Sequence, residues 1–222
     1  MLCIIQSRMS SNRLPGKMLM DINGISLLGR VVERVKLSKL VSNVIVATSI
    51  NKEDNQIAEF CSKSGINYFR GDLKNVANRF LEVAQNEKAE SFVRISGDSP
   101  LLPPSILDHA IKIFMNNDYD LVTNVYPRTF PKGFSVEVIK TEAFKIINNQ
   151  NLTNEQKEHV TKIFYDNATG FKILNFKSNP NYSNLNFSVD TKRDFEKIRT
   201  ILSDVNIIEL DWKVLCKKHS LN

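Results

Sequence analysis

The sequence predicts one α/β domain spanning residues 1–222, built on a doubly wound, mostly parallel sheet. Three observations carry this expectation. Short apolar runs alternate with amphipathic segments from Leu2 to Asn124, the rhythm of repeated βαβ units. A chain of 222 residues fits one domain with at most a small appendage, and can bury a sizeable core without staples. At 42% hydrophobic and 24% charged residues the composition is that of an ordinary globular protein, which excludes disordered and fibrous classes.

Leu2–Gln6 reads as a buried strand and Ser7–Lys17 as a polar loop. Ser26–Leu37 has helical spacing, with Leu27, Leu28, Val31, Val32 and Val35 forming one stripe. Asn43–Thr48 is the second strand, and Glu53–Ser64 is a helix that Gly65 stops. A short strand at Asn67–Phe69, a helix over Asn75–Gln85 and a strand at Ser91–Ile95 follow, the last running into the turn Gly97-Asp98-Ser99-Pro100. Pro103 and Pro104 open a helix that reaches Asn116, and Leu121–Asn124 is a further strand. The rhythm then changes. A loop over Tyr126–Gly133 and a strand at Val136–Ile139 precede helices at Thr141–Asn149 and Asn154–Tyr165. A strand at Phe171–Phe176, a short strand ending at Val189, a helix from Lys192 to Leu202 and one over Asp211–Lys218 complete the chain. Residues 126–187 read as an elaboration suited to a second substrate or a dimer contact.

The net charge is +6, from 30 basic and 24 acidic residues, but the basic residues are scattered and form no block of five or six. No exposed-looking aromatics interleave with arginine, so a phosphate-binding pocket suits the charge better than nucleic acid. Cys3, Cys61 and Cys216 have no metal-like spacing and imply a reducing compartment. The apolar run at the N-terminus is too short for a signal-peptide core, and no segment approaches the ~20 apolar residues of a membrane span. The expectation is a cytoplasmic protein with no membrane partner.

Chemistry concentrates first in the loop Gln6-Ser7-Arg8-Met9-Ser10-Ser11-Asn12-Arg13-Leu14-Pro15-Gly16-Lys17. Small residues there let backbone N–H groups approach phosphate oxygens, arginine offers a planar fork, and lysine acts as a point charge. The loop matches neither the Walker pattern nor G-x-G-x-x-G. Three cations around a Pro-Gly turn argue against a merely solvated basic loop.

Arg-x-x-x-x-Arg-Leu-Pro-Gly-Lys after the first strand resembles the signature of the sugar-acid cytidylyltransferases, which include the acylneuraminate and CMP-KDO synthetases. The chain looks closest to the branch of spore-coat polysaccharide protein F. Supporting stretches are Val46-Ala47-Thr48-Ser49, Phe69-Arg70-Gly71-Asp72, Val93-Arg94-Ile95-Ser96-Gly97-Asp98-Ser99-Pro100-Leu101, Arg128-Thr129-Phe130-Pro131-Lys132-Gly133, Val136-Glu137-Val138, Glu158-His159-Val160-Thr161 and Ser188-Val189-Asp190-Thr191. The resemblance implies a nucleotide-diphospho-sugar-transferase (Rossmann-like) fold, use of CTP and a homodimer. It implies that Arg8, Arg13 and Lys17 hold the triphosphate, with Ser7 and Gly16 beside them.

Asp98 and Asp190 stand after separate strands. Thr191 and Asp194 can form a helix cap by themselves, which leaves the Asp190 carboxylate for other work. Two such carboxylates suit Mg²⁺, which completes its shell with water and phosphate. The resemblance assigns metal binding to both positions. The implied chemistry is in-line attack of a sugar hydroxyl on the α-phosphorus of CTP, with pyrophosphate leaving, for a surface polysaccharide or glycan.

Thr48, Ser49, Arg70 and Ser96 follow strands on the same expected edge and suit contacts to base or ribose, although each also suits a turn or cap. Arg79 lies on a helix, where a solvated face competes with the nucleotide contact that the resemblance favours. Glu137 alternates with two valines and suits a contact to the sugar, although the polar face of a strand accounts for it too; related enzymes often carry an acid where Ser135 stands, two residues before it. His159 sits on a helix, for which the resemblance favours a sugar-side or dimer role over a structural one. Arg128 and Lys132 flank Pro131 and suit a sugar carboxylate. Two rivals stand beside this reading: a transferase of the same fold using another nucleotide or a sugar phosphate, and a non-catalytic nucleotide-binding scaffold. The second has no need of Arg8, Arg13, Lys17, Asp98 and Asp190 together.

Overall fold

Apolar residues on both faces of the first strand set the architecture. In β1 (Leu2–Gln6), Cys3 and Ile5 face one layer while Leu2 and Ile4 face the other, and all four are buried. A strand buried on both sides belongs in the middle of a sheet covered by helices. The computed structural model describes residues 1–204 and 210–220 and places β1 there.

The remaining strands are β2 (Asp21–Ile22), β3 (Ile25–Ser26), β4 (Asn43–Ser49), β5 (Asn67–Gly71), β6 (Ser91–Ser96), β7 (Leu121–Thr123), β8 (Glu137–Lys140) and β9 (Ile173–Asn175). Among the described residues the main sheet has seven strands in the order β5-β4-β1-β6-β8-β7-β9. All neighbours pair in parallel except β8, which runs against both β6 and β7. This is the mostly parallel, doubly wound α/β sheet that the alternating pattern predicts.

The helices are α1 (Leu27–Lys36), α2 (Asn55–Lys63), α3 (Val76–Asn86), α4 (Pro104–Met115), α5 (Thr141–Asn148), α6 (Asn154–Glu158), α7 (Lys162–Asp166), α8 (Lys192–Asp204) and α9 (Trp212–Ser220). One core layer takes Leu28, Val31 and Val35 of α1, Ile57 of α2, Leu107 of α4 and Ile198 of α8. The other takes Phe80 of α3, Phe144 of α5 and Phe164 of α7. Each such burial contributes about 1.5–3 kcal/mol, so the two layers lock the sheet that carries the site. No helix among the described residues is long and apolar enough to cross a membrane.

Several expectations change. The Asn154–Tyr165 helix is two helices, because His159 leaves helical geometry (φ −102°, ψ 57°) and the β-branched pair Val160-Thr161 turns inward. No strand ends at Val189; the backbone there makes only an isolated bridge, Lys132 with Asn186, and Val189 N–H donates to Asp98 instead. The helix expected from Glu53 opens with a 3₁₀ turn at Lys52–Asp54, and β9 is shorter than Phe171–Phe176. The hairpin of β2 and β3 is an addition. Its loop is Asn23-Gly24, both at positive φ, the dipeptide that a two-residue hairpin favours.

Candidate active site

β1, β4 and β6 are parallel neighbours in register, Gln6 opposite Ala47 and Ser96, so all three end at one edge of the sheet. The loop after β1 is folded on Met9, whose carbonyl accepts from Ser11 N–H at 3.0 Å and Gly16 N–H at 3.1 Å. Gly16 has φ 74°, a left-handed geometry that a glycine adopts without strain, and from it a 3₁₀ turn delivers Lys17.

Lys17 is nearly buried. Its ammonium donates to Val189 O at 2.6 Å, Asp190 Oδ1 at 3.2 Å and Asp98 Oδ2 at 3.4 Å. Arg13 pairs with the same Asp190 Oδ1 at 2.9 Å, and Arg8 pairs with Glu158 Oε1 at 2.6 Å. Each cation of the loop thus meets a carboxylate. Asp98 is set by the exit of β6, where Gly97 N–H donates to Gln6 O at 2.8 Å and Asp98 O accepts Val189 N–H at 2.9 Å. Thr191 and Asp194 cap α8 reciprocally: Asp194 Oδ2 accepts Thr191 N–H at 2.8 Å, and Asp194 N–H donates to Thr191 Oγ1 at 3.2 Å. Asp190 takes no part in that cap with its side chain, as expected.

Ser7, Arg8, Arg13, Lys17, Ser96, Asp98, His159 and Asp190 line one cleft of about 420 Å³, and Gly16, which does not line it, immediately precedes Lys17. The cleft also gains Gln6 and Glu158, which the sequence offers only as members of the loop after β1 and of the Glu158–Thr161 stretch, with no role of their own. Asp98 and Asp190 converge on one ammonium, so a cation at that point would meet two carboxylates. Asp190 also uses only Oδ1 on Lys17 and Arg13. This donor set fits Mg²⁺, with phosphate and water oxygens completing the shell.

Other candidates lie outside the cleft. Thr48 is fully buried with no partner for its hydroxyl. Arg70 staples β5 to the chain after β4, donating to Ser49 O and Asn51 O at 2.9 Å each. Arg79 is fully buried, which overturns the solvated-face reading; burial lowers its pKa to about 10 against the opposing pull of Asp54. Its Nη1 donates to Asp72 O, while Nε and Nη2 have no partner. Glu137 is not on a polar face either. It is buried, accepts from Arg94 Nη1 at 2.5 Å and from the Tyr165 hydroxyl, and Arg94 Nη2 reaches Gln6 Oε1 at 3.1 Å. Burial and Glu137 push the Tyr165 phenol up. Arg128 donates to Ser135 Oγ at 3.0 Å, and burial lowers its pKa. Lys132 has an exposed side chain and joins Leu185 and Phe187 by its backbone.

Residues 2–213 match the family model described as cytidylyltransferase. The chain is 30% identical over 209 residues to the spore coat polysaccharide biosynthesis protein SpsF of Bacillus subtilis, covering 90% of this chain and 85% of that one. It is 37% identical over 116 residues to 3-deoxy-manno-octulosonate cytidylyltransferase of Geobacter sulfurreducens, covering 51% of this chain and 45% of the other. The structure of a cytidylyltransferase from Leptospira borgpetersenii superposes with a TM-score of 0.92 at 28% identity, over 98% of this chain and 94% of that one.

Proposed function

The chain belongs to the cytidylyltransferase family, and from that premise we propose that it transfers CMP from CTP to a hydroxyl of a sugar acid, releasing pyrophosphate, with Mg²⁺ as cofactor. The observation that carries this reading is the clamp of Lys17 between Asp98 and Asp190, flanked by Arg13 and Arg8 in the cleft.

Three cations facing three carboxylates leave the cleft with little charge to attract a triphosphate alone. Asp98 and Asp190 would hold Mg²⁺, whose charge when bound offsets that developing on the phosphate oxygens. Released from those carboxylates, Lys17 and Arg13 turn their donors to the β- and γ-phosphates, and Arg8 adds a planar fork. Positioning of the two substrates and charge neutralisation then supply most of the rate enhancement. Ser96, Gln6 and His159 line the same cleft and suit the acceptor. The named relatives act on 3-deoxy-manno-octulosonate or in spore-coat polysaccharide biosynthesis, which supports an acceptor of the sugar-acid class and a surface-glycan role. The same reading expects a cytoplasmic homodimer, its contact in residues 126–187.

The test is thermal stabilisation by CTP, UTP, ATP and GTP, each with and without Mg²⁺, followed by pyrophosphate release with 3-deoxy-manno-octulosonate and N-acetylneuraminate. A shift selective for CTP and strengthened by Mg²⁺ is expected. Selectivity for another nucleotide would change the product and keep the chemistry, whereas a nucleotide shift with no pyrophosphate release from any acceptor would favour a non-catalytic scaffold.

A further inference from the structure

Asp54 stands immediately before α2, where an aspartate ordinarily caps the helix, yet its side chain accepts from none of that helix's N–H groups. Its oxygens are used elsewhere. Oδ1 accepts Met9 N–H at 2.6 Å, across 45 residues of sequence, and Oδ2 accepts both the N–H of Ser49, at 3.2 Å, and its hydroxyl. The residue is 1% exposed. Met9 is the point on which the loop after β1 folds, since its carbonyl ties down Ser11 and Gly16. Arg8 precedes it, and Gly16 leads into Lys17. One buried carboxylate therefore joins the end of β4 to the hub of the loop that carries all three cations. Asp54 is also the carboxylate that acts most strongly on the buried Arg79 guanidinium.

We propose that Asp54 is a positioning residue for triphosphate binding: it touches no substrate and fixes Met9, and through Met9 the places of Arg8 and Lys17. This rests on the reading of the cleft as a CTP site. Low-dielectric surroundings strengthen such a bond and make its loss expensive. In Asp54→Asn one oxygen becomes a donor and the charge is lost, so Met9 N–H either faces another donor or keeps only a weaker, neutral bond.

The experiment is a ligand ladder, the thermal midpoint with cytidine, CMP, CDP and CTP in Mg²⁺, for wild type and Asp54→Asn. In wild type each added phosphate should raise the midpoint further. In Asp54→Asn the increments should shrink, with CTP affinity falling by about tenfold or more, a loss of at least one charge-assisted hydrogen bond. A lower midpoint in Asp54→Asn with unchanged increments means a structural role only and overturns the proposal. If that variant does not fold, amide exchange of the wild-type protein decides. Met9 N–H should be protected before any nucleotide is added, and exchange at the rate of a free loop overturns the proposal. A wild type without any CTP shift would overturn the function itself, and this role with it, whereas an intact ladder in Asp54→Asn overturns this role alone.

Discussion

Lys17 uses its three hydrogens on Val189, Asp190 and Asp98, so the cleft's most buried cation has nothing left for a phosphate until one of those acceptors is taken over. That gives Asp98 and Arg13 separable roles. Asp98→Asn keeps the side chain's size and the backbone bond to Val189, so the fold should persist while pyrophosphate release falls by about 100-fold or more. Near-native turnover would remove Asp98 from the metal site. Arg13 is two-thirds exposed, and exposed ion pairs contribute at most about 1 kcal/mol, so Arg13→Ala should leave stability almost unchanged. It should weaken CTP far more than cytidine in titration calorimetry; equal weakening of both would show that Arg13 does not read phosphate. Five of the six charged residues of the cleft were legible, because the three cations cluster in one loop and Asp98 and Asp190 each stand in a short local motif. Their partners were not. Glu158 meets Arg8, and Asp54 meets Met9, only through the fold. The burial of Arg79 and Glu137 was not legible for the same reason: nothing in a helical arginine or an alternating glutamate tells which side of the strand or helix another element will cover.

Strand ends do the aiming, and Gly97 shows how narrowly. Its φ is not in the positive range, so the glycine is required by proximity rather than by turn geometry. A Cβ added there would lie 2.7 Å from Gln6 O. Gly97→Ala should therefore push the end of β6 from β1 and displace Asp98, lowering both the unfolding midpoint in urea and turnover; a variant matching wild type in both would show that the two strand ends have slack. On the neighbouring pair, β6 and β8 bring Arg94 opposite Glu137, with Tyr165 of α7 closing the group. Breaking a buried pair by removing one partner costs about 3–5 kcal/mol, so Glu137→Ala should lose a stability of that order in urea unfolding. A loss below about 1 kcal/mol would mean that water reaches Arg94 readily. Elements with a strong period, such as β1, β4, α1 and α4, were legible to within a residue or two. The Asn23-Gly24 hairpin was overlooked although its signal is local. The break at His159 was not readable, because it depends on Val160 finding a buried place.

Across the whole molecule, the excess of six positive charges does not sit in the cleft, where three cations face three carboxylates, so net charge is no guide to charge at the site. The cysteines report on cohesion more directly. Cys3, Cys61 and Cys216 are all fully buried, and burial pushes the Cys61 and Cys216 thiols from an ordinary 9.0 up to about 12, with Cys3 raised as well. The thiolate is the reactive form. Native protein at pH 8 should therefore leave all three unmodified by an aromatic disulfide reagent, and all three should react in urea. The sign for stability follows: the folded state holds these protons more tightly, so the contribution is intact below pH 9.0 and is lost as pH rises toward about 12. Position adds an order of reaction. Cys3 is on β1, hydrogen-bonded to β4 and β6, so its exposure requires the central sheet to open, whereas Cys216 lies on the terminal helix α9. Local openings cost less than global ones, so Cys216 should label first in dilute urea. A ligand bound to the native state alone slows only those openings that destroy its site. CTP with Mg²⁺ should then slow labelling of Cys3 and leave Cys216 nearly unaffected, as read by mass spectrometry of peptides. Equal protection of both would mean that α9 opens only with the sheet, and no protection of Cys3 would separate the cleft from the strand that carries it.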